Sequence, residues 1–338
     1  MTPAIRIAAL TSSRDDPSSR FRIRQFIEPL RKRGMEVTEF RPAIGKYAGV
    51  AAQLTGLPLL MRAGAVLAAR RYDIVWLNRE LITGRATLER FAGRRVIFDV
   101  DDAIWLNGRN DFARRIAAGA YGVIAGNERI AEYFKDHAQR LWIVPTSVDP
   151  EVWTPSARSD GDSFTVGWSG TWWNLQYLYL IEEQLSAFLT DHARAKLLVV
   201  CDRRPEFQFL RPEQWEFLKW SEENEVSALH RMDAGIMPLT DNEWTRGKCA
   251  LKMLCYMSVS LPVVASPVGV AKEILLRGPI APGVEAADPQ DFYAGLQELY
   301  RNRPLGRAMG AAGRALVEKA YSLDVALTKL AGIFADSV

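Results

Sequence analysis

The sequence predicts an α/β fold with two doubly wound, Rossmann-like domains. Short apolar runs alternate with segments of helical period, which is typical of parallel strands covered by helices on both faces. The alternation occurs twice, on either side of a stretch from Thr146 to Asp162 that is rich in Pro, Ser, Asp and Gly. The predicted division is residues 1–150 for the N-terminal domain, 151–315 for the C-terminal domain and 316–338 for a last helix that packs back toward the N-terminal domain.

Six apolar runs predict the strands of the N-terminal domain, and polar turn residues follow each of them. The runs are Ile5–Leu10, Glu36–Phe40, Asp73–Leu77, Arg95–Asp99, Gly122–Ala125 and Trp142–Pro145. Between the first two runs, apolar residues recur at helical spacing as far as Arg33. Ser18 or Ser19 would cap the start of this helix, and Gly34 would end it.

The second half repeats the pattern. Its predicted strands are Phe164–Trp168, Lys196–Cys201, Trp215–Leu218, Ala234–Leu239 and Val263–Ala265. Its predicted helices are one that Asn174 caps and that runs through Phe188, one from Glu223 to Met232, one that Pro262 stops, and three in the last 50 residues.

The composition is that of a globular protein, with 48% hydrophobic and 25% charged residues among 338. No apolar run approaches the roughly 18 residues that a membrane-spanning helix needs, and no signal peptide is expected before the first strand. Three cysteines in apolar settings predict reduced core thiols and a cytoplasmic protein. Three scattered histidines argue against a zinc site or a Ser-His-Asp triad.

Basic residues are concentrated in the first half of the chain. Residues 1–150 carry 24 Lys and Arg against 16 Asp and Glu, a net charge of +8, whereas the remainder carries −5. We therefore expect the first half to meet an anionic surface or ligand, but no motif indicates nucleic acid. Residues 41–71 allow two interpretations: helices packed on the sheet, or a basic and apolar surface for a membrane or a lipid-linked acceptor.

One stretch, Trp244–Leu276, has the features of an anion site. It predicts a loop, a helix with an apolar stripe, a turn at Pro262, a buried strand and a glycine loop. Lys248 and Lys252 are four residues apart, so they are predicted to share one face of the helix start. Two ammonium groups beside free helix N–H groups would suit a diphosphate.

This stretch resembles the C-terminal signature of the family 4 (group 1) glycosyltransferases of GT-B fold, in a bacterial subgroup with an atypical glutamate motif. The similar residues are Arg246-Gly247-Lys248-Cys249, Lys252, Tyr256-Met257 and the segment from Leu261 to Gly269. Further similar segments are Ser18 to Arg22, Phe98 to Trp105, Pro145 to Asp149, Gly167 to Gly170 and Asp233 to Leu239. The resemblance covers nearly the whole chain in the right order.

The resemblance implies retaining transfer of a sugar from a nucleotide-diphosphate sugar, of UDP or GDP type, to a hydroxyl of a glycan or lipid-linked acceptor. The donor would lie on the C-terminal domain and the acceptor on the N-terminal domain, with the reaction in a cleft between them. No cofactor and no metal are expected, because basic side chains and helix N-termini would neutralise the leaving diphosphate. The implied role is in cell-envelope, polysaccharide or glycolipid synthesis, in the cytoplasm or peripherally on the inner face of the membrane.

Candidate donor-binding residues lie at predicted strand ends or helix starts and match the family's positions. They are Lys248, Lys252, Ser19, Arg20, Gly170, Thr171, Ser266 and Gly269. Helix capping, a plain turn or a solvated charge is the structural alternative for these residues. Trp172 and Trp173 are either core residues or a platform for a base or sugar ring.

Asp101, Asp102 and Glu273 are the candidate catalytic residues. Glu273 matches the family's glutamate at a helix start, where it would bind a sugar hydroxyl; a plain helix-start carboxylate is the alternative. Asp99, Asp101 and Asp102 form a cluster that would hold the acceptor or donor sugar, cap a helix from Ala103, or bind a metal. Carboxylates this close would raise at least one pKa.

Two positions depart from the family pattern. The family often has two glutamates before the Pro-Val-Val strand, and their positions here hold Gly247 and Cys255. Cys255 lies on the predicted apolar stripe and is expected in the core. Two other functions therefore stay open: a catalytically silent GT-B protein that binds a nucleotide or partner, and a nucleotide-sugar epimerase.

Overall fold

The computed structural model describes residues 4–42, 57–108, 111–155, 161, 163–278 and 280–338. The chain divides into two compact units. The first comprises Met1–Ser147, Arg246–Cys249 and Leu323–Val338; the second comprises Val148–Thr245 and Ala250–Ser322. The first unit therefore includes a four-residue segment from the second half of the chain, as well as the C-terminal helix.

Each unit is built on a six-stranded sheet in which all the pairings between strands are parallel. The first sheet has the order β2-β1-β3-β4-β5-β6 and the second the order β12-β11-β10-β7-β8-β9. The strands are β1 Ile5–Leu10, β2 Met35–Phe40, β3 Ile74–Asn78, β4 Val96–Val100, β5 Gly122–Ala125, β6 Leu141–Ile143, β7 Phe164–Gly170, β8 Ala195–Cys201, β9 Trp215–Lys219, β10 Ala234–Met237, β11 Val263–Ala265 and β12 Gly283–Glu285. The α/β prediction with two doubly wound sheets is confirmed.

Helices follow most of the strands. They are α1 Pro17–Arg22, α2 Ile27–Lys32, α3 Leu57–Ala69, α4 Phe112–Gly119, α5 Glu128–Phe134, α6 Leu175–Tyr179, α7 Glu182–Asp191, α8 Glu225–His230, α9 Glu243–Arg246, α10 Leu251–Ser258, α11 Val270–Leu275, α12 Pro289–Arg301, α13 Arg303–Leu316 and α14 Leu323–Ala335. A π-helical segment, Val317–Tyr321, links α13 to Ser322.

The first sheet is covered on both faces, as its continuous apolar strands require. One face packs on α3, α4 and α5 through residues such as Val66, Ile116 and Phe134. The other face packs on α2 and α14, where the Trp76 and Phe334 rings meet edge to face at 5.0 Å. The C-terminal helix is thus an integral layer of the first unit.

Two predictions of helix capping are wrong. Asp16, and not Ser18 or Ser19, caps α1, because its carboxylate accepts the backbone N–H of Ser19 at 3.0 Å. The predicted helix after Asn174 is two helices, α6 and α7, and Asn174 makes no side-chain cap to α6. The sequence pattern also does not predict β12, because three residues are too few to show a strand period.

Candidate functional site

In an open parallel sheet, ligands bind at the carboxyl ends of the strands where the strand order reverses. In the first sheet this point lies between β1 and β3. The Ser19 Oγ is buried there and lies 2.8 Å from acceptor oxygens of both Asp16 and Asn78, which share its single proton, and it accepts the N–H of Ser12 at 3.0 Å. Ser19 therefore ties the loop after β1 to the end of β3. Arg20 is half-buried, with its guanidinium 5.2 Å from the Phe21 ring.

Arg79 joins both candidate carboxylates in the first unit. Its Nε donates to Asp101 at 2.5 Å and its second terminal nitrogen donates to Asp102 at 2.7 Å. Ser18 also donates to Asp101, at 2.7 Å. Burial would raise the pKa of Asp101, but the charges of Arg79 and Arg22 and these hydrogen bonds outweigh it and lower that pKa. The Arg79 charge and these hydrogen bonds therefore favour the ionised form of Asp101.

The carboxylates do not cap the short helix that follows them. That helix, Ile104–Asn107, begins after Ala103 without a side-chain cap. The capping interpretation is therefore wrong, and Arg79 is the partner of Asp101 and Asp102. Its backbone is left-handed, at φ 57°, which is uncommon for a residue with a side chain.

Arg22 and Asp99 form a buried ion pair that the sequence analysis did not predict. Arg22 Nε donates to Asp99 at 2.8 Å, and the two side chains are 3% and 0% exposed. The indole N–H of Trp76 donates to the other Asp99 oxygen at 3.0 Å, and Arg22 also donates to the carbonyl of Val144 at 2.7 Å. Burial raises the pKa of Asp99, and the Arg22 charge opposes that rise. The sequence signal that could have indicated this pair is Asp99 itself, a charged residue within the otherwise apolar strand β4.

The segment Arg246–Cys249, which we call the strap, carries Lys248 in the first unit. The prediction that Lys248 shares a helix face with Lys252 is wrong, because α10 begins only at Leu251, after Ala250 in a left-handed conformation. Asn127 donates to the carbonyl of Gly247 at 2.9 Å. Cys249 packs in the first unit's core, and its thiol donates to the carbonyl of Asp101 at 3.2 Å.

Packing explains why position 247 is a glycine. A Cβ there would lie 2.7 Å from Cβ of Ala103 and 3.0 Å from its backbone nitrogen. No side chain, acidic or otherwise, fits while the strap rests on the loop after β4. The strap thus brings Lys248 to the loop that holds Asp101 and Asp102.

The second unit holds Lys252 in the first turn of α10. A Cβ added to Gly170, the last residue of β7, would lie 2.5 Å from Lys252 Cε and 2.9 Å from its Nζ. The ammonium also lies 5.3 Å from the centre of the Trp168 ring. Gly170 therefore leaves space for the lysine at the carboxyl end of β7, where the second sheet reverses its strand order between β7 and β10.

The remaining donor-side candidates lie on neighbouring loops of the second unit. Ser266 follows β11, is buried, and accepts the backbone N–H of Leu239 at 3.0 Å. Thr171 follows β7, and its hydroxyl accepts from Asn174 at 2.9 Å. Gly269 precedes α11 at φ 55°, a conformation that favours glycine, and Glu273 is exposed in that helix.

The structure shows how far the side chains of Trp172, Trp173 and Cys255 are buried. Trp173 is 64% exposed, and its ring stacks at 4.0 Å on that of Trp172, which is partly buried and packs against the core of the second unit. Cys255 is buried on α10, as its place on the apolar stripe predicts. The prediction of free core thiols holds for all three cysteines.

A comparison with protein-family models matches residues 163–302 to the group 1 glycosyl transferases. This segment contains Lys252, Gly170 and the loop of Ser266. Solved structures of the GT-B glycosyltransferase fold match almost the whole chain. The chain therefore has the GT-B fold, and its second unit contains the segment that matches the group 1 glycosyl transferases.

The protein is similar in structure to sucrose-phosphate synthase from Thermosynechococcus elongatus, with 14% identity, a TM-score of 0.74 and coverage of 98% of both chains. It is similar to Anabaena HepE in complex with UDP-glucose, at 13% identity and a TM-score of 0.66, over 98% of this chain and 100% of that one. The pneumococcal O-GlcNAc transferase GtfA, in complex with UDP and GlcNAc, gives 14% identity and a TM-score of 0.61 over 83% and 59% of the two chains. A search of curated proteins finds no match.

Within the described residues, no helix of the protein is long and apolar enough to cross a bilayer. Within the same ranges, no group of three or more His, Cys, Asp or Glu side chains is placed to hold a metal ion.

Proposed function

We propose that this protein is a glycosyltransferase that transfers a sugar, with retention of configuration, from a UDP-sugar to a hydroxyl acceptor in glycan or glycolipid synthesis. The observation that carries the proposal is Lys252, held against Gly170 at the carboxyl end of β7 inside the family-matched segment. An ammonium at this edge of a parallel sheet suits a diphosphate. Within the UDP or GDP alternatives, UDP is favoured because HepE and GtfA carry it in their solved complexes.

The chemistry assigns separate tasks to the residues. The bond between the anomeric carbon and the diphosphate breaks, a bond to the acceptor oxygen forms on the same face, and the proton of the acceptor hydroxyl passes to the leaving diphosphate. Lys252 stabilises the negative charge that develops on the diphosphate. Such stabilisation contributes strongly to catalysis when the ammonium is already in place before the bond breaks. Glu273 would accept a hydrogen bond from a donor-sugar hydroxyl.

Asp101 and Asp102 are proposed to orient the acceptor. Both form ion pairs with Arg79, and a carboxylate oxygen of each can accept a hydrogen bond from a hydroxyl. The lowered pKa of Asp101 makes it a weak base, which suits orientation better than proton abstraction. No step here depends on a metal or cofactor.

Ribose recognition must differ from the family pattern. Position 247 has no room for a side chain, and Cys255 is a buried thiol, so neither position supplies a carboxylate. We propose that backbone groups of the second unit bind the ribose instead.

Binding and turnover of a nucleotide panel test the proposed function. We expect UDP to bind more tightly than GDP, ADP or dTDP by calorimetry, and one UDP-sugar to be hydrolysed or transferred equally with EDTA or Mg²⁺. Proton NMR of the product should show the anomeric configuration of the donor. Tighter GDP binding would overturn the UDP assignment, and UDP-sugar binding without turnover would restore the silent-protein hypothesis.

We also propose that α3 binds an anionic membrane surface. Its buried face holds Arg62, Val66 and Ala69, whereas Leu60 and Leu67 on the opposite face are 76% and 59% exposed. Exposed Arg70 and Arg71 follow the helix, in a half of the chain with a net charge of +8. Part of the basic and apolar stretch predicted at 41–71, residues 43–56, lies outside the described residues.

Flotation with liposomes containing phosphatidylglycerol tests this surface. The Leu60→Gln/Leu67→Gln variant is expected to lose most of the bound fraction, because two exposed apolar anchors are removed. The matched control is Leu180→Gln, at a side chain of the second unit that is 49% exposed. Equal flotation of the variant and the wild type, or flotation insensitive to salt, would contradict the proposal.

A further inference from the structure

We propose that the exposed indole of Trp173 is a stacking platform for the base of the nucleotide whose diphosphate Lys252 binds. This inference rests on the proposed function, because it takes a UDP-sugar as the ligand of the second unit. All the residues that carry it belong to that unit. The sequence pattern allowed Trp172 and Trp173 to be core residues or a platform for a base or sugar ring, and the geometry of the pair favours the base.

Trp173 presents a large aromatic face to solvent. One face of its ring stacks on Trp172, with the ring centres 4.0 Å apart and the planes inclined by 28°. Because 64% of the Trp173 side chain is still exposed, the opposite face of the ring is open. Covering an indole face removes a large apolar area from water, so a flat partner that stacks on this face would bind favourably.

Trp172 holds this ring in position. The guanidinium of Arg203 lies 4.1 Å from the centre of the Trp172 ring. Trp173 lies at nearly the same distance from that centre, so the two groups cover opposite faces of Trp172. The backbone N–H of Trp172 donates to Asp202 at 2.7 Å, and its side chain packs against the core of the second unit. The platform is therefore ordered before a ligand arrives, which lowers the entropic cost of binding.

The platform lies beside the proposed diphosphate site. Trp173 is three residues after Gly170, so their Cα atoms are at most roughly 11 Å apart. A Cβ added to Gly170 would lie 2.9 Å from the Nζ of Lys252. Gly170 also pairs with Cys201, so the loops that carry Trp173 and Arg203 leave neighbouring strands at the same edge of the sheet. One nucleoside diphosphate is long enough to place its phosphates at Lys252 and its base on Trp173.

A nucleobase suits this face better than a sugar ring does. A base is planar, so it can continue the stack that Arg203, Trp172 and Trp173 already form. The exposed positive charge of Arg203 suits an anionic nucleotide. Every base has a π-face, so stacking of this kind tolerates different bases. Trp173 should therefore contribute affinity, whereas the choice between uracil and other bases depends on other contacts.

Two substitutions of Trp173 test the stack. Trp173→Leu is expected to lower UDP affinity, measured by calorimetry, by about 5- to 100-fold, which is the usual effect of losing one base–aromatic stack. Trp173→Phe keeps a planar ring and should retain UDP affinity to within about threefold of the wild type. Both variants should fold, because the Trp173 side chain is mostly exposed.

Inorganic pyrophosphate separates the base from the phosphates. It has no base, so it should bind equally to the wild type and to Trp173→Leu, whereas Lys252→Gln should weaken the binding of both pyrophosphate and UDP. The matched control is Phe209→Leu, at an aromatic side chain that is 51% exposed and lines a groove beside α7 with Ser186 and Thr190. UDP affinity of that variant should be unchanged.

Three results would overturn the inference and leave the proposed function in place. Unchanged UDP affinity in Trp173→Leu would show that no base stacks on the ring. Equal losses for UDP and pyrophosphate would show that the substitution disturbs the loop and does not remove a stack. A loss confined to UDP-glucose, with UDP unaffected, would assign the ring to the sugar. Failure of the wild-type protein to bind UDP at all would overturn the proposed function, and this inference with it.

Discussion

Replacement of Lys252 with glutamine is expected to weaken UDP binding by roughly 10- to 100-fold. A hydrogen bond to a charged group contributes about 1.5–3 kcal/mol, and about 1.4 kcal/mol corresponds to a tenfold change in affinity. The loss in kcat should be at least as large, because the diphosphate gains charge as the glycosidic bond breaks. Calorimetry with UDP and initial rates with the preferred UDP-sugar measure the two effects.

Lys196→Gln is the matched control for this change. This change removes the same charge from the same unit, but Lys196 is exposed near the amino end of β8. Its neighbour on the adjacent strand β7 is Thr165 and not Gly170. UDP affinity should be unchanged. A third variant, Gly170→Ala, should show an intermediate loss, because its Cβ displaces the end of the Lys252 side chain without removing the charge.

Equal UDP affinities for Lys252→Gln and Lys196→Gln would show that the ammonium beside Gly170 does not bind the diphosphate. The proposed donor site on the second unit would then lose the observation that carries it.

Replacement of Arg22 with methionine is expected to lower the free energy of unfolding by about 3–5 kcal/mol, because it leaves the Asp99 carboxylate buried without a cation. Methionine matches the apolar part of the arginine side chain in length, so part of the packing is kept. Urea unfolding followed by circular dichroism measures the loss. The control is Arg6→Met, whose ion pair with Asp73 is largely exposed and should contribute about 0–1 kcal/mol.

The loss should depend on pH in a defined direction. Without Arg22, burial raises the pKa of Asp99 further above the unfolded value of about 3.9. A carboxylate with a raised folded-state pKa binds its proton more tightly in the folded protein, so stability falls as pH rises through that pKa. The deficit of Arg22→Met relative to the wild type should therefore be larger at pH 8 than at pH 5.

A deficit that does not change with pH would show that the methionine variant loses packing and not charge compensation. A second variant, Arg22→Met/Asp99→Leu, should recover much of the stability, since removing both charges leaves no unpaired group.

Much of the fold could be read from the sequence because it depends on local patterns. Buried parallel strands such as Val263–Ala265 are continuous apolar runs, and each prediction needs only a few adjacent residues. Gly170 and Ser266 could be proposed as candidates from the sequence because strand ends mark the ligand-binding edge of a parallel sheet, whereas Lys252 was proposed from its place at a helix start. The reduced thiols and the buried Cys255 followed from the same apolar context.

The sequence by itself determined the α/β class, the two sheets and the candidate edge for the diphosphate. Only the tertiary structure decided that Lys248 belongs to the first unit, that Arg79 neutralises Asp101 and Asp102, and that Arg22 pairs with Asp99. The physical reason is distance along the chain: 120 residues separate Asn127 from the Gly247 carbonyl that it holds. A local pattern reports the environment of a residue, whereas its partner is fixed by packing between segments that the pattern does not connect.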